Sequence, residues 1–244
     1  MPTFSALDAR GRRRSPVTIV GHKRTKPPAT KGKKYPPEPL PIDDIVKLLA
    51  ACTPQRPGWV GEFSAIRLRA LIVVLWRTGM RCAEMLALED RDLQRQDLTI
   101  VIRCGKGGKR RLVMMDEWGW VEFERYLARR AELPPGQSFC VAHGATAGRA
   151  LCDSDVRRQL RQAGVRASCR HRIHAHAFRH TFSAEAWREG IDLFRLQRQL
   201  GHAHLGVTEA YLRGITVTEI LGPIGQRHAP MMVVPSSLLA LSVP

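Results

Sequence analysis

Apolar side chains fall into a regular order only after about residue 36, and from there their spacing alternates between helical and strand-like. Residues 43–51 have the spacing of a short amphipathic helix. Residues 61–80 carry Ile66, Leu68, Leu71, Ile72, Val74 and Leu75 around most of a helical circumference, the pattern of a helix buried on many sides, and Gly79 marks its end. Two alternating stretches, 98–103 and 110–114, flank the glycine-rich run 104–109 and predict a β-hairpin. Over 117–130 the period becomes helical again, with Trp120, Phe123, Tyr126 and Leu127 on one face, which assigns Tyr126 to the core. After the break at Pro134-Pro135-Gly136 the pattern predicts a short strand at 138–142 and a basic helix over 153–163, with Asp153 or Ser154 near its N-cap. Helices over 175–187 and 192–200 follow, parted by Gly190 and ended by Gly201, and a further helix is predicted over 215–221. The fold class is mainly α with a small β-hairpin or sheet (α+β).

Length and composition narrow the picture. A chain of 244 residues with 44% hydrophobic content has ample material for a core, as one domain or two small ones. A formal net charge of +17 calls for a polyanionic partner, because self-repulsion opposes compaction unless something neutralises it. Nucleic acid fits that better than an anionic membrane surface. Residues 1–34 hold ten basic side chains against Asp8 alone, a formal +9. Such an arm is expected to be disordered in isolation, and either tracks phosphates or remains a solvated tail. Residues 36–41 read as a linker. The six cysteines (Cys52, Cys82, Cys104, Cys140, Cys152 and Cys169) form no C-x-x-C pair and read as reduced, small hydrophobes of a cytosolic protein. The longest obvious apolar run, 70–76, is far too short for a bilayer, and no hydrophobic region follows Arg12-Arg13-Arg14 as a secretion signal requires.

The candidate chemistry lies between residues 173 and 211. His176 and Arg179 are three apart on one predicted helix and can address the same group, one moving a proton while the other holds an anion. Gly201 turns the chain so that His202 points back toward that helix. Tyr211 follows nine residues later. A phenol with a reference pKa of about 10 is a weak nucleophile unless a base and cations surround it, and the chain supplies both. Arg81, raised on the turn after the buried helix, has a fork suited to gripping a phosphate, with Glu84 as its partner. The hairpin run G-K-G-G-K-R lacks the P-loop order, which argues against ATP. Arg157, Arg158 and Arg161 on the basic helix face either a DNA groove or solvent. His171, His174, His176 and His180 lie close in sequence, yet no H-E-x-x-H acid accompanies them, so no metal is expected and His180 reads as a buried, hydrogen-bonded histidine.

Together these motifs resemble the tyrosine recombinase (phage integrase) family, whose catalytic domain carries His-x-x-Arg, then Leu-Gly-His, then a tyrosine nine residues on. The match keeps both spacings at His176, Arg179, Gly201, His202 and Tyr211; the stretch 78–84 matches the family's T-G-x-R-x-x-E around its first catalytic arginine. The resemblance spans about residues 36–214 and implies the tyrosine recombinase catalytic-domain fold. It also implies site-specific cutting and rejoining of DNA through a 3′-phosphotyrosyl intermediate, without metal or ATP. In that scheme Tyr211 attacks, Arg81 and Arg179 stabilise the phosphorane-like charge, His176 accepts the phenolic proton, His202 hydrogen-bonds the phosphate and Lys106 protonates the leaving 5′ oxygen. Lys109 and Arg110 hold backbone phosphates.

The partners implied are double-stranded DNA, other recombinase subunits in a tetramer on DNA, and a second recombinase or accessory factor, in a cytoplasmic, nucleoid-associated setting with no membrane. The expected organisation is a basic arm (1–35), the catalytic domain (36–222) and a tail (223–244) that either docks in trans, as the resemblance implies, or frays, without the complete N-terminal core-binding domain usual in the family. Two other readings share the residues: relaxation of DNA like a type IB topoisomerase, and a DNA-binding remnant of a mobile element that no longer cuts.

Overall fold

A computed structural model describes residues 39–103 and 110–202, and all statements of structure concern those residues. The basic arm, the hairpin turn with Lys106 and Lys109, Tyr211, the helix expected at 215–221 and the C-terminal tail lie outside them.

The fold is built around α2 (Trp59–Thr78), whose side chains from Ala70 to Leu75 are all fully buried. A helix apolar on every side needs covering on more than one side, and it receives it from α4 (Glu117–Arg130) and α6 (Ala175–Arg188). Each Leu or Ile so buried contributes roughly 1.5–3 kcal/mol. Where α2 meets α4, the Phe123 and Tyr126 rings stack on Phe139 at centroid distances of 5.5 and 5.3 Å, and the Tyr126 hydroxyl donates to the Ser138 carbonyl at 2.7 Å. Tyr126 is fully buried, as its helical position leads one to expect, and that burial pushes its phenol pKa up. Arg69 and Glu122, 2.5 Å apart, tie the same two helices at their rim.

The remaining elements follow the predicted order. α1 (Ile42–Ala50) precedes α2. α3 (Cys82–Leu86) leads to a three-stranded antiparallel sheet of order β1-β2-β3, in which β1 is Leu93–Gln94, β2 is Thr99–Ile102 and β3 is Arg111–Met114. Ile100 pairs with Val113 across the hairpin. The two-residue β1 is an addition, too short to leave an alternation in the sequence.

Three expectations need correction. No strand forms at 138–142; there are only isolated bridges, Glu89 to Gln137 and Cys140 to Ala150, because Gly144 and Gly148 curl the returning chain through positive φ. α5 (Asp153–Arg166) begins at Asp153 as expected, with Cys152 as the N-cap before it, but runs three residues beyond its predicted end. Cys152 itself is exposed, with its thiol 2.8 Å from the Asp155 carboxylate, unlike the buried Cys140.

At the C-terminal end of the described chain, α6 turns at Gly190 (φ +88°) into α7 (Leu193–Leu200). The Asp192 carboxylate accepts from the Phe194 and Arg195 amides as an N-cap, and Gly201 closes the helix in the left-handed region at φ +65°. Leu196 and Leu200 pack on Ala186 as a separate small apolar cluster. No described helix is long and apolar enough to cross a membrane.

Candidate active site

Two glycine-terminated helices, α2 and α7, end beside each other and create the site. Gly79 sits at φ +63°, and a Cβ there would fall 2.5 Å from the Phe182 ring, so only glycine lets the chain turn this close to α6. Its carbonyl accepts from Arg179 Nη1 at 2.6 Å, and the last carbonyl of α7, Leu200, accepts from Arg179 Nη2 at 2.7 Å. Arg179, 1% exposed, thus fastens the ends of both helices to α6.

His202 completes this knot. Its Nε2 lies 2.8 Å from Arg179 Nη2. Burial, followed by the charges of Arg179, Arg81 and Arg111, pushes its pKa down to about 3, so the ring is neutral at physiological pH. His176, on the exposed side of α6, has its pKa lowered by partial desolvation, Arg179, His174 and Arg81. A neutral imidazole at the mouth of a cationic site can accept a proton. His180 meets His176 edge-on with ring centroids 4.5 Å apart and is half-buried, with its pKa depressed to about 4. Among the described residues no group of three or more His, Cys, Asp or Glu side chains is placed to hold a metal ion.

Arg81 is the N-cap of α3, and its own backbone and side chain are held by Glu84, whose oxygens accept from Arg81 N at 2.8 Å and from Arg81 Nη1 at 2.9 Å. The expected pairing of Arg81 with Glu84 is therefore present. What the sequence reading missed is Arg111 on β3, which donates to both oxygens of the same carboxylate at 2.8 Å. Burial pushes the Glu84 carboxyl up, but the hydrogen bonds from Arg111 and Arg81 outweigh it and bring the pKa to about 2. Arg111 Nε also reaches the Gln199 carbonyl at 3.3 Å, and a Cβ on Gly201 would lie 2.7 Å from that nitrogen. Gln199 was missed as well: its amide nitrogen donates to Thr78 O and Met114 O, and its oxygen accepts from Met114 N, bridging α7, α2 and β3. A signal for Arg111 existed. Val113 faces inward, so strand alternation puts Arg111 on the same side, where a charged side chain needs a carboxylate.

Arg81, His174, His176 and Arg179 line one open groove of about 650 Å³, and Arg157, Arg158 and Arg161 of α5 line its other wall. Guanidiniums and two histidines around one groove form an arrangement that can attract an anion beside a proton acceptor. Arg157 and Arg158 also pair with Asp153 and Asp155 on their own helix, at 2.5 and 2.7 Å. Arg110 is exposed just before β3.

The phage integrase family model matches residues 39–215. Tyrosine recombinase XerD of Caulobacter vibrioides is 32% identical over 232 residues, covering 85% of this chain and 73% of the relative. Tyrosine recombinase XerC of Anoxybacillus flavithermus is 35% identical over 152 residues, covering 59% and 49%. The chain thus spans between about half and three quarters of the length of these two relatives. In fold it is similar to the crystal structure of XerA recombinase (TM-score 0.64, 24% identity, 85% of this chain and 67% of that one). It is similar also to the XerH site-specific recombinase bound to a palindromic difH substrate in a post-cleavage complex (TM-score 0.62, 23% identity, 90% and 61%). With the motif spacings retained and the whole described region inside the family match, this chain belongs to the phage integrase family of tyrosine recombinases.

Proposed function

We propose that the protein is a site-specific DNA recombinase that cuts and rejoins strands through Tyr211, with double-stranded DNA as substrate and further recombinase subunits as partners. The observation that carries this reading is the convergence of Arg81, His176 and Arg179 on one groove, with His202 hydrogen-bonded to Arg179 beneath it. Attack of a phenolate on a phosphodiester places negative charge on the equatorial oxygens, and fixed guanidiniums meet that charge without reorganising. Arg81, the more exposed of the two, presents donors directly; the enclosed Arg179 acts through its charge and by holding His202. Neutral His176 takes the phenolic proton, and Lys106 returns one to the departing 5′ oxygen. The phosphotyrosyl bond keeps the phosphodiester energy for rejoining, so neither ATP nor a metal is called for.

The test is a nicked suicide substrate carrying native flanking DNA, incubated with the full chain in EDTA and resolved under denaturing conditions. A covalent protein–DNA adduct is expected with the native protein and none with Tyr211→Phe. Absence of adduct from the native protein, with DNA still bound, would turn the reading toward a binder that does not cut.

A further inference from the structure

A second opening, of about 570 Å³, adjoins the first along α5. Arg158 lines both; beyond it, Gln159, Gln162 and Arg166 face only the second. Its volume falls in the range of about 300–1,000 Å³ common for ligand clefts.

The unusual member of this groove is Arg67 of α2. It is 6% exposed, and its contacts are neutral: Nη1 donates to the Cys140 carbonyl at 2.7 Å, Nη2 to the Gln159 side-chain oxygen at 3.4 Å, and the Phe63 ring lies 5.6 Å away. Among the described residues its Nε has no hydrogen-bond partner and no carboxylate forms an ion pair with it. A buried guanidinium without an ion-pair partner is costly, and an anion entering the groove would offset that cost. Burial disfavours its charged form, the Asp155 carboxylate offsets part of that, and Arg56 adds to it.

Arg56 is not there by accident of a loose loop. Gly61 stands within the first turn of α2, where glycine costs up to about 1 kcal/mol relative to alanine, and a Cβ there would fall 1.9 Å from the Arg56 carbonyl oxygen. The glycine lets the 53–58 segment lie against the helix and brings a second guanidinium to the groove that holds Arg67. With Arg158 and Arg166 the groove collects four arginines against Asp155, whose carboxylate already accepts from Arg158 at 2.7 Å.

We infer that this second groove is a phosphate site, filled by a backbone phosphate of the bound DNA at a position apart from the reacting one. The inference rests on the DNA-binding half of the function proposed above and not on its chemistry. The phosphate would supply the charge that Arg67 lacks, with Arg56 and Arg166 closing over it from the exposed rim. Arg158 lines both grooves, so a strand leaving the first past it would enter the second, and the two would form one basic track.

The experiment uses the full chain and a fluorescent duplex, with affinity read by anisotropy over a series of salt concentrations. Removing one cation that neutralises a phosphate lowers the slope of log K against log salt by roughly 0.9. Arg166→Gln and Arg56→Gln, both at exposed positions, are each expected to lower the slope by up to about that amount, because they share one phosphate with Arg67, while Arg125→Gln, which lines neither groove, leaves it unchanged. In parallel, inorganic phosphate at matched ionic strength is expected to raise the thermal midpoint of the native chain more than that of Arg166→Gln or Arg67→Met. A phosphate-dependent rise abolished in the variants, together with an unchanged slope, assigns the groove to a free phosphate and overturns the DNA contact. Unchanged slopes with the rise intact, or an equal slope change in Arg125→Gln, overturn the site altogether. Because no strand need be cut, a chain that formed no tyrosyl adduct would leave these outcomes readable.

Discussion

Arg179 Nη2 stands 2.8 Å from His202 Nε2, and since a guanidinium has only hydrogens to offer, the ring nitrogen must accept. His202 is thereby held neutral with its proton on Nδ1, the edge that donates. The unfolded imidazole titrates near 6.5 and the folded one at about 3. Between those values the unfolded state binds a proton that the folded state refuses, so stability is complete above about pH 6.5 and declines as pH falls toward 3. The thermal midpoint is expected to drop through that window, and less steeply in His202→Gln, which keeps an acceptor but cannot be protonated. Identical pH profiles for the two proteins would dissociate His202 from the acid sensitivity.

Glu84 is the shared anchor of Arg81 and Arg111, so Glu84→Gln leaves the largely buried Arg111 without its charge partner. A loss of about 3 kcal/mol in urea unfolding is expected, in line with breaking one side of a buried pair. The stabilisation from the Glu84 carboxylate, depressed from 4.5 to about 2, is present above pH 4.5 and lost as pH falls toward 2. The difference between native protein and variant should therefore shrink across that range.

His176, with its pKa below the ordinary imidazole value, is already in its basic form at neutral pH. Single-turnover adduct formation is expected to be flat around pH 7 and to fall only on the acid side of the usual imidazole range. His176→Ala should slow it roughly 100-fold or more, with DNA affinity little altered.

Arg81 is expected to matter more to the barrier than to binding. Arg81→Gln should slow adduct formation by about 10²–10³-fold, the effect of deleting one donor to a developing anion. Anisotropy measured beside the rate separates this from a loss of affinity.

Gly190 and Gly201 both sit at positive φ, yet they differ in what a methyl group would meet: open space at Gly190, the Arg111 guanidinium at Gly201. Each alanine variant should lose roughly 1–2 kcal/mol through backbone strain. Only Gly201→Ala should also impair adduct formation, because it alone displaces the side chain that holds Glu84. Equal activity in the two variants would show that the Arg111 contact does not support the site.

Among the described residues, the sequence by itself determined the longer helices, the hairpin strands and the motif spacing. Local periodicity and glycine positions specify these: 20 residues with apolar positions all round can only be a buried helix, and Gly79 and Gly201 can end helices in a conformation other residues resist. It also carried the site as a set of residue types, through His176, Arg179, His202 and Arg81.

Tertiary structure decided what those residues do to each other. That Arg179 spends its donors on Gly79, Leu200 and His202, and that Glu84 serves Arg111 as well as Arg81, depends on contacts between segments up to 100 positions apart, which no local pattern encodes. The failed strand at 138–142 and the want of a carboxylate for Arg67 among the described residues have the same origin. Hydrogen-bond pairing and counter-charge are properties of what packs alongside, and the chain can state only which groups will need them.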